Sequence, residues 1–218
     1  MIRKHVRMFA ALIFIGLLMT AFTGKSQNAV TDYDGNLYHS ISIGKQVWLT
    51  ENLRTTHYND GSPITYNETW TMMTEGAYGL YDDDTAVYKK TYGTLYNWYA
   101  VNSGKLCPKG WHVPTEEEWT TLITFLGGES SAGEKMKVPV SHVPAWDGNN
   151  SSGFSALPSG QRSPSDGVPS GLNNMASFWS STENGTGAWY HTLYTSAPRI
   201  GSAFITKTYG FSVRCIKD

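Results

Sequence analysis

The sequence predicts an α+β domain, with short twisted antiparallel sheets, one or two helices and a long irregular loop region. Three observations predict it. Tyr 13, Trp 8 and Gly 22 in 218 residues describe a turn-rich chain with large aromatic packing anchors. A full helical signature is clearest near residues 116–126. After it, Gly, Ser, Asn and Pro dominate residues 129–177, ahead of the closing strand candidates. Charged residues are only 16% of the chain and hydrophobic ones 40%, so the chain has enough apolar surface to fold and disorder is excluded.

Residues 1–26 read as a secretory signal peptide. Arg3, Lys4 and Arg7 precede an apolar run from Met8 to Phe22, which is shorter than the roughly 20 residues of a membrane span. The alternative is an uncleaved N-terminal anchor. This leader holds four of the 17 basic residues and none of the 18 acids, so its removal leaves a net charge of −5. With no basic cluster remaining, nucleic acid and anionic membrane surfaces are excluded as partners. The expected location is outside the inner membrane, in the periplasm, at the cell surface or secreted.

Residues 30–218 then form a single domain without repeats. Asp34-Gly35 is a hairpin signal before the run Leu37–Ile43. Ile41 and Ile43 alternate onto one face, and Gly44-Lys45-Gln46 turns the chain back into Val47-Trp48-Leu49. Residues 57–92 read as polar loop. A short helix is expected over 93–100, where Tyr96, Tyr99 and Ala100 fall at helical spacing.

The strongest helix is 116–126. Thr115 and Glu118 form a capping-box pair, and Glu116, Glu117 and Glu118 lie at the positive end of the helix dipole. Trp119, Leu122, Ile123 and Leu126 make its buried stripe, and Gly127-Gly128 ends it. Strands are expected at Ser177–Ser181, Ala188–Tyr194 and Phe211–Ile216.

Export bears on Cys107 and Cys215, which lie 108 positions apart. In an oxidising compartment such a pair is a disulfide, and closing so long a loop stabilises by about 4–5 kcal/mol in the chain-entropy account. The alternative, a reactive thiol pair, lacks the CxxC spacing.

Taken in order, several segments resemble one family. They are Asp34-Gly35-Asn36-Leu37-Tyr38, Ile43-Gly44-Lys45-Gln46-Val47-Trp48 and Glu51-Asn52-Leu53-Arg54 at the start. Tyr92-Gly93-Thr94-Leu95-Tyr96-Asn97-Trp98 and Cys107-Pro108-Lys109-Gly110-Trp111-His112-Val113-Pro114 follow. The end supplies Gly153-Phe154-Ser155-Ala156-Leu157-Pro158, Phe178-Trp179-Ser180-Ser181-Thr182-Glu183 and Gly210-Phe211-Ser212-Val213-Arg214-Cys215. Together they resemble the Fibrobacter succinogenes major paralogous domain. The resemblance implies export and a C-type-lectin-like fold, similar to that of formylglycine-generating enzymes and retroelement-diversified binding proteins. In that fold the termini meet in a hairpin and a long loop region carries ligands. The family brings no established activity with it.

The chemistry of the chain fits a binding role. The reactive cysteine pair of formylglycine-generating enzymes has no counterpart beyond Cys107 and Cys215. The mature His residues (His39, His57, His112, His142, His191) have no metal spacing. The tripeptides of calcium-dependent lectins are absent, and no Gly-x-Ser-x-Gly elbow occurs. No cofactor is expected, with calcium at Asp82, Asp83 and Asp84 as the one alternative to a solvated acidic turn.

The candidate ligand surface is the C-terminal cluster of Asn184, Trp189, Tyr190, His191, Tyr194 and Arg199. Aromatic faces with amide and guanidinium donors suit a glycan or protein at a cell surface. The expected function is thus an exported, non-catalytic binding or adhesion module. A divergent enzyme of the formylglycine-generating superfamily and a structural surface or matrix protein are the alternatives.

Overall fold

The computed structural model describes residues 29–70, 72–81 and 87–218. The expected leader and the Asp82-Asp83-Asp84 cluster lie outside these residues. The described chain is mixed α and β, mostly sheet, with four helices among the described residues. No helix among them is long and apolar enough to cross a membrane.

The first hairpin pairs β1 (Val30–Thr31) with β2 (Leu37–Tyr38). Asp32 builds its turn by accepting the Asn36 N–H at 2.9 Å, while Gly35 supplies the left-handed φ of 79°. A second hairpin follows as expected, β3 (Ser40–Ile43) with β4 (Gln46–Leu49). Its partner on the far side of β4 is β14 (Ile216–Lys217), which also pairs with β8 (Trp111–His112). The last strand, β14, therefore joins the β3–β4 hairpin in one sheet of order β3-β4-β14-β8, while β1 and β2 form a separate two-stranded sheet.

Residues 57–92 are more structured than polarity suggests. They hold β5 (Thr65–Tyr66), β6 (Ala77–Gly79) and the helix α1 (Tyr88–Tyr92). The expected helix over 93–100 divides. Leu95–Tyr96 is the strand β7, paired with β6, and only Trp98–Val101 is the helix α2. Asn97 decides the boundary, because its side chain accepts the Ala100 N–H at 3.1 Å and starts the helix there.

The helix α3 (Glu116–Phe125) carries the capping box of Thr115 and Glu118. It buries Trp119, Leu122 and Ile123, with Leu126 at its C-cap. The 129–177 region, expected to be irregular, contains α4 (Glu129–Met136), β9 (Ser159–Arg162) and β10 (Pro169–Leu172). Then come β11 (Met175–Asn184), β12 (Gly187–Tyr194) and β13 (Ile200–Thr206). These five strands form one sheet of order β10-β9-β11-β12-β13.

The expected strand over 211–216 is strand only at its last residue. Its backbone is shared among several partners instead of one ladder. Phe211 N bonds Tyr96 O at 3.1 Å, the Ser212 carbonyl accepts Trp179 N–H at 3.2 Å, and the Val213 carbonyl accepts Leu53 N–H at 2.9 Å.

Two aromatic cores result. One packs α3 and α4 on the five-stranded sheet through Trp119, Leu122, Met136, Phe154, Phe178, Leu193 and Ile200, with Trp48 from β4. The other gathers Tyr38, Leu53, Tyr96, Trp98, Trp179, Phe211 and Val213 around the disulfide. Cys107 and Cys215 are bonded, with Cα atoms 6.0 Å apart, and both are buried. The bridge ties the segment before β8 to the segment before β14, two strands that pair in the four-stranded sheet.

Candidate functional site

Strand alternation sorts the C-terminal cluster onto two faces. On the first, Trp189 faces Phe204, His191 faces Ser202 and Leu193 faces Ile200 across the β12–β13 pair. On the second stand Tyr190 and Tyr194. The first face descends into the core at one end and opens at the other. Leu193 and Ile200 are buried in the core that holds α3 and α4. His191 comes next and is 1% exposed. Its Nε2 lies 3.0 Å from Glu116 Oε2, and its ring centroid lies 4.7 Å from that of Trp119.

Glu116 is thus more than a dipole partner at the start of α3. It covers His191 with one oxygen and accepts the Ser202 hydroxyl at 3.2 Å with the other. Ser202 and His191 therefore meet Glu116 through different oxygens of the one carboxylate. His191 Nδ1 and Trp119 Nε1 are both buried without a hydrogen-bond partner among the described residues.

Beyond Glu116 the face is open. Phe204 is 59% exposed, and its ring meets that of Trp189 edge-on at 5.7 Å. On the other side of Ser202, a shallow groove of about 650 Å³ is lined by Ser202, Arg199, Glu129 and Ser130 among others. Ser202 therefore links an aromatic pair, a carboxylate and a guanidinium-bearing groove along one edge of the sheet.

The turn that leads to Arg199 is held from beneath. Lys137, 1% exposed, bonds the carbonyls of Tyr194 and Ala197, each at 2.9 Å, and Asp147 Oδ1 at 2.7 Å. Asp147 accepts the Ser196 N–H with its second oxygen, and Trp146 Nε1 donates to Thr195 Oγ1 at 2.9 Å. Burial works against the charge on Asp147, but Lys137 and the Ser196 N–H prevail and hold its pKa below the usual carboxylate range.

The sequence-derived surface is only partly assembled. Trp189 and Arg199 belong to the open edge. His191 does not, and its reading as a surface residue is corrected: alternation turns it inward beneath Glu116. Tyr190 lies on the opposite face, half-buried, with its ring 4.8 Å from Phe211. Tyr194 is exposed on that same opposite side, and Asn184 ends β11 opposite Gly187, half-buried. Glu116, Ser202 and Phe204 were missed. A signal for Phe204 was present, since it is the one aromatic residue in 195–208.

Among the described residues, no group of three or more His, Cys, Asp and Glu side chains is placed to hold a metal ion. The Asp82, Asp83 and Asp84 calcium candidate lies outside them.

No curated protein and no solved structure matches this chain. The family model of the Fibrobacter succinogenes major domain matches residues 41–217, and the chain belongs to that family.

Proposed function

We propose that this chain is an exported, non-catalytic binding or adhesion module that holds a cell-surface glycan on the open edge of β12 and β13. The observation that carries the reading is Phe204, a large apolar ring left 59% exposed beside Trp189 on a strand edge that also presents Glu116, Ser202 and Arg199. An aromatic face takes the apolar side of a sugar ring, while a carboxylate and a guanidinium bond its hydroxyls. A C-type-lectin-like fold would suit the reading, and the pairing of the last strand, β14, with the early hairpin strand β4 is compatible with such a fold. The buried disulfide agrees with an oxidising destination.

The test is a screen of the purified domain against immobilised cell-surface polysaccharides, beside the Phe204→Ala variant. Saturable binding that weakens about tenfold in the variant, worth roughly 1.4 kcal/mol, is the expected result. Absence of glycan binding, or equal binding by the variant, refutes it. One observation favours a second reading, a self-associating surface or matrix protein. The edge strand β13 carries no charged residue from Ile200 to Thr206, and uncharged edges pair readily with other strands. Concentration-dependent oligomers without glycan binding would support it.

A further inference from the structure

Arg214 is 1% exposed and has no carboxylate within ion-pair distance among the described residues. Its guanidinium is held by oxygen acceptors alone. Nε donates to Asn52 Oδ1 at 2.7 Å, Nη1 to the carbonyls of Leu49 at 3.1 Å and Phe154 at 2.5 Å, and Nη2 to the carbonyl of Ser155 at 2.9 Å. A guanidinium has five N–H groups. Among the described residues one N–H on Nη2 is left over, and Arg214 lines a cavity of about 230 Å³. Burial pulls the pKa of Arg214 down to about 9, with the charge of Glu51 opposing the fall.

Glu51 lines the same cavity. Its Oε2 accepts the His39 N–H at 2.8 Å and the Thr50 hydroxyl at 3.0 Å, while among the described residues Oε1 meets only His39 Nδ1, at 2.6 Å. A carboxylate oxygen has two lone pairs, so Oε1 retains one for a further donor. Thr50, Thr91, His142 and Ser155 add polar walls, and Leu157 an apolar one.

The cavity thus presents a buried positive group and a partly exposed negative one. A simple anion would meet the repulsion of Glu51, and a simple cation that of Arg214. We propose that this cavity is a binding site for a small zwitterion of the free amino acid class, its carboxylate on Arg214 and its ammonium on Glu51. The volume lies below the roughly 300–1,000 Å³ of drug-sized pockets, which sets the ligand at a few heavy atoms. The site shares no residue with the β12–β13 edge and stands or falls independently of it.

The test is calorimetric titration of the full domain with L- and D-serine, 3-hydroxypropionate and ethanolamine. The last two each lack one of the two charged groups of serine. Saturable binding of one serine enantiomer is expected, with each single-charge analogue at least about tenfold weaker, as the loss of a charge-assisted bond requires. Glu51→Gln should lose the preference for serine over 3-hydroxypropionate, and Thr91→Trp, which fills the cavity, should abolish binding while leaving the fold intact by circular dichroism. No binding of either enantiomer, equal binding of an analogue, or serine binding unchanged in Thr91→Trp would overturn the assignment.

Discussion

The Lys137 ammonium and the Asp147 carboxylate, 2.7 Å apart, join the end of α4 to the turn that leads into β13. Lys137 is almost wholly buried, so the pair does not behave like a surface salt bridge. Asp147→Ala leaves a buried ammonium held only by carbonyls. The expected cost is about 3 kcal/mol, at the low end for breaking a buried pair because Asp147 keeps some contact with water. Urea denaturation measures it, and hydrogen exchange should show the 194–199 backbone opening first.

Gly133 gives a prediction whose sign is unusual. In a helix interior, Gly→Ala normally stabilises by about 0.5–1 kcal/mol. A Cβ at Gly133 would lie 2.4 Å from the Arg199 carbonyl oxygen, which is backbone and cannot swing aside. Gly133→Ala should therefore destabilise, by about 1–3 kcal/mol, and disturb the Arg199 turn. Thermal melts of the two proteins decide the sign.

Much of this architecture is legible in the sequence where local signals and burial agree. The capping box at Thr115 and the stripe from Trp119 to Leu126 point to the same helix, and the hairpins at Gly35 and Gly44 follow from their turns. The helix α4 was hidden because its eight residues, Glu129–Met136, bury Ala132, Gly133 and Met136 but show no strong apolar stripe. Its burial depends on close backbone approach, which composition does not reveal. The strand β13 was hidden because an edge strand with residues 202–204 exposed has no inside–outside alternation to read. Tyr190 and His191, both candidates for the ligand surface, are consecutive in a strand and face opposite ways, and which of the two faces is buried depends on the packing of α3, which the strand itself does not encode. Glu116 joins the site from 75 positions away from His191, and no local pattern encodes that contact.

The disulfide closes a separation of 108 residues. Replacing both cysteines by serine should lower the stability to urea by about 4–5 kcal/mol, the chain-entropy cost of so long a loop in the unfolded state. The loss is measured from denaturation curves of oxidised wild type and the double variant.

His112 makes stability depend on pH. Its Nδ1 lies 2.7 Å from Asp218 Oδ1 and its Nε2 2.9 Å from Glu118 Oε1, so a protonated ring clasps the C-terminal residue to the start of α3. Burial opposes the charge, but the two carboxylates prevail and raise the pKa of His112. A raised folded value means that the clasp contributes fully below the unfolded His value of about 6.5, and that its contribution is lost as pH rises through the folded value. Denaturation midpoints of the wild type should fall over that window, and those of His112→Gln should fall less. At the acid end the sign reverses. Asp147, with its lowered pKa, stabilises above the unfolded Asp value of about 3.9, and this is lost as pH falls toward the folded value.

The most direct test of the central claim is a chemical-shift titration of the labelled domain with a polysaccharide that it retains, with the sugar recovered and analysed afterwards. The account predicts that the largest shifts fall on the Trp189 indole, Phe204 and Ser202, and that the sugar is returned chemically unchanged. Shifts centred elsewhere in the domain, or a sugar returned cleaved or modified, would contradict it.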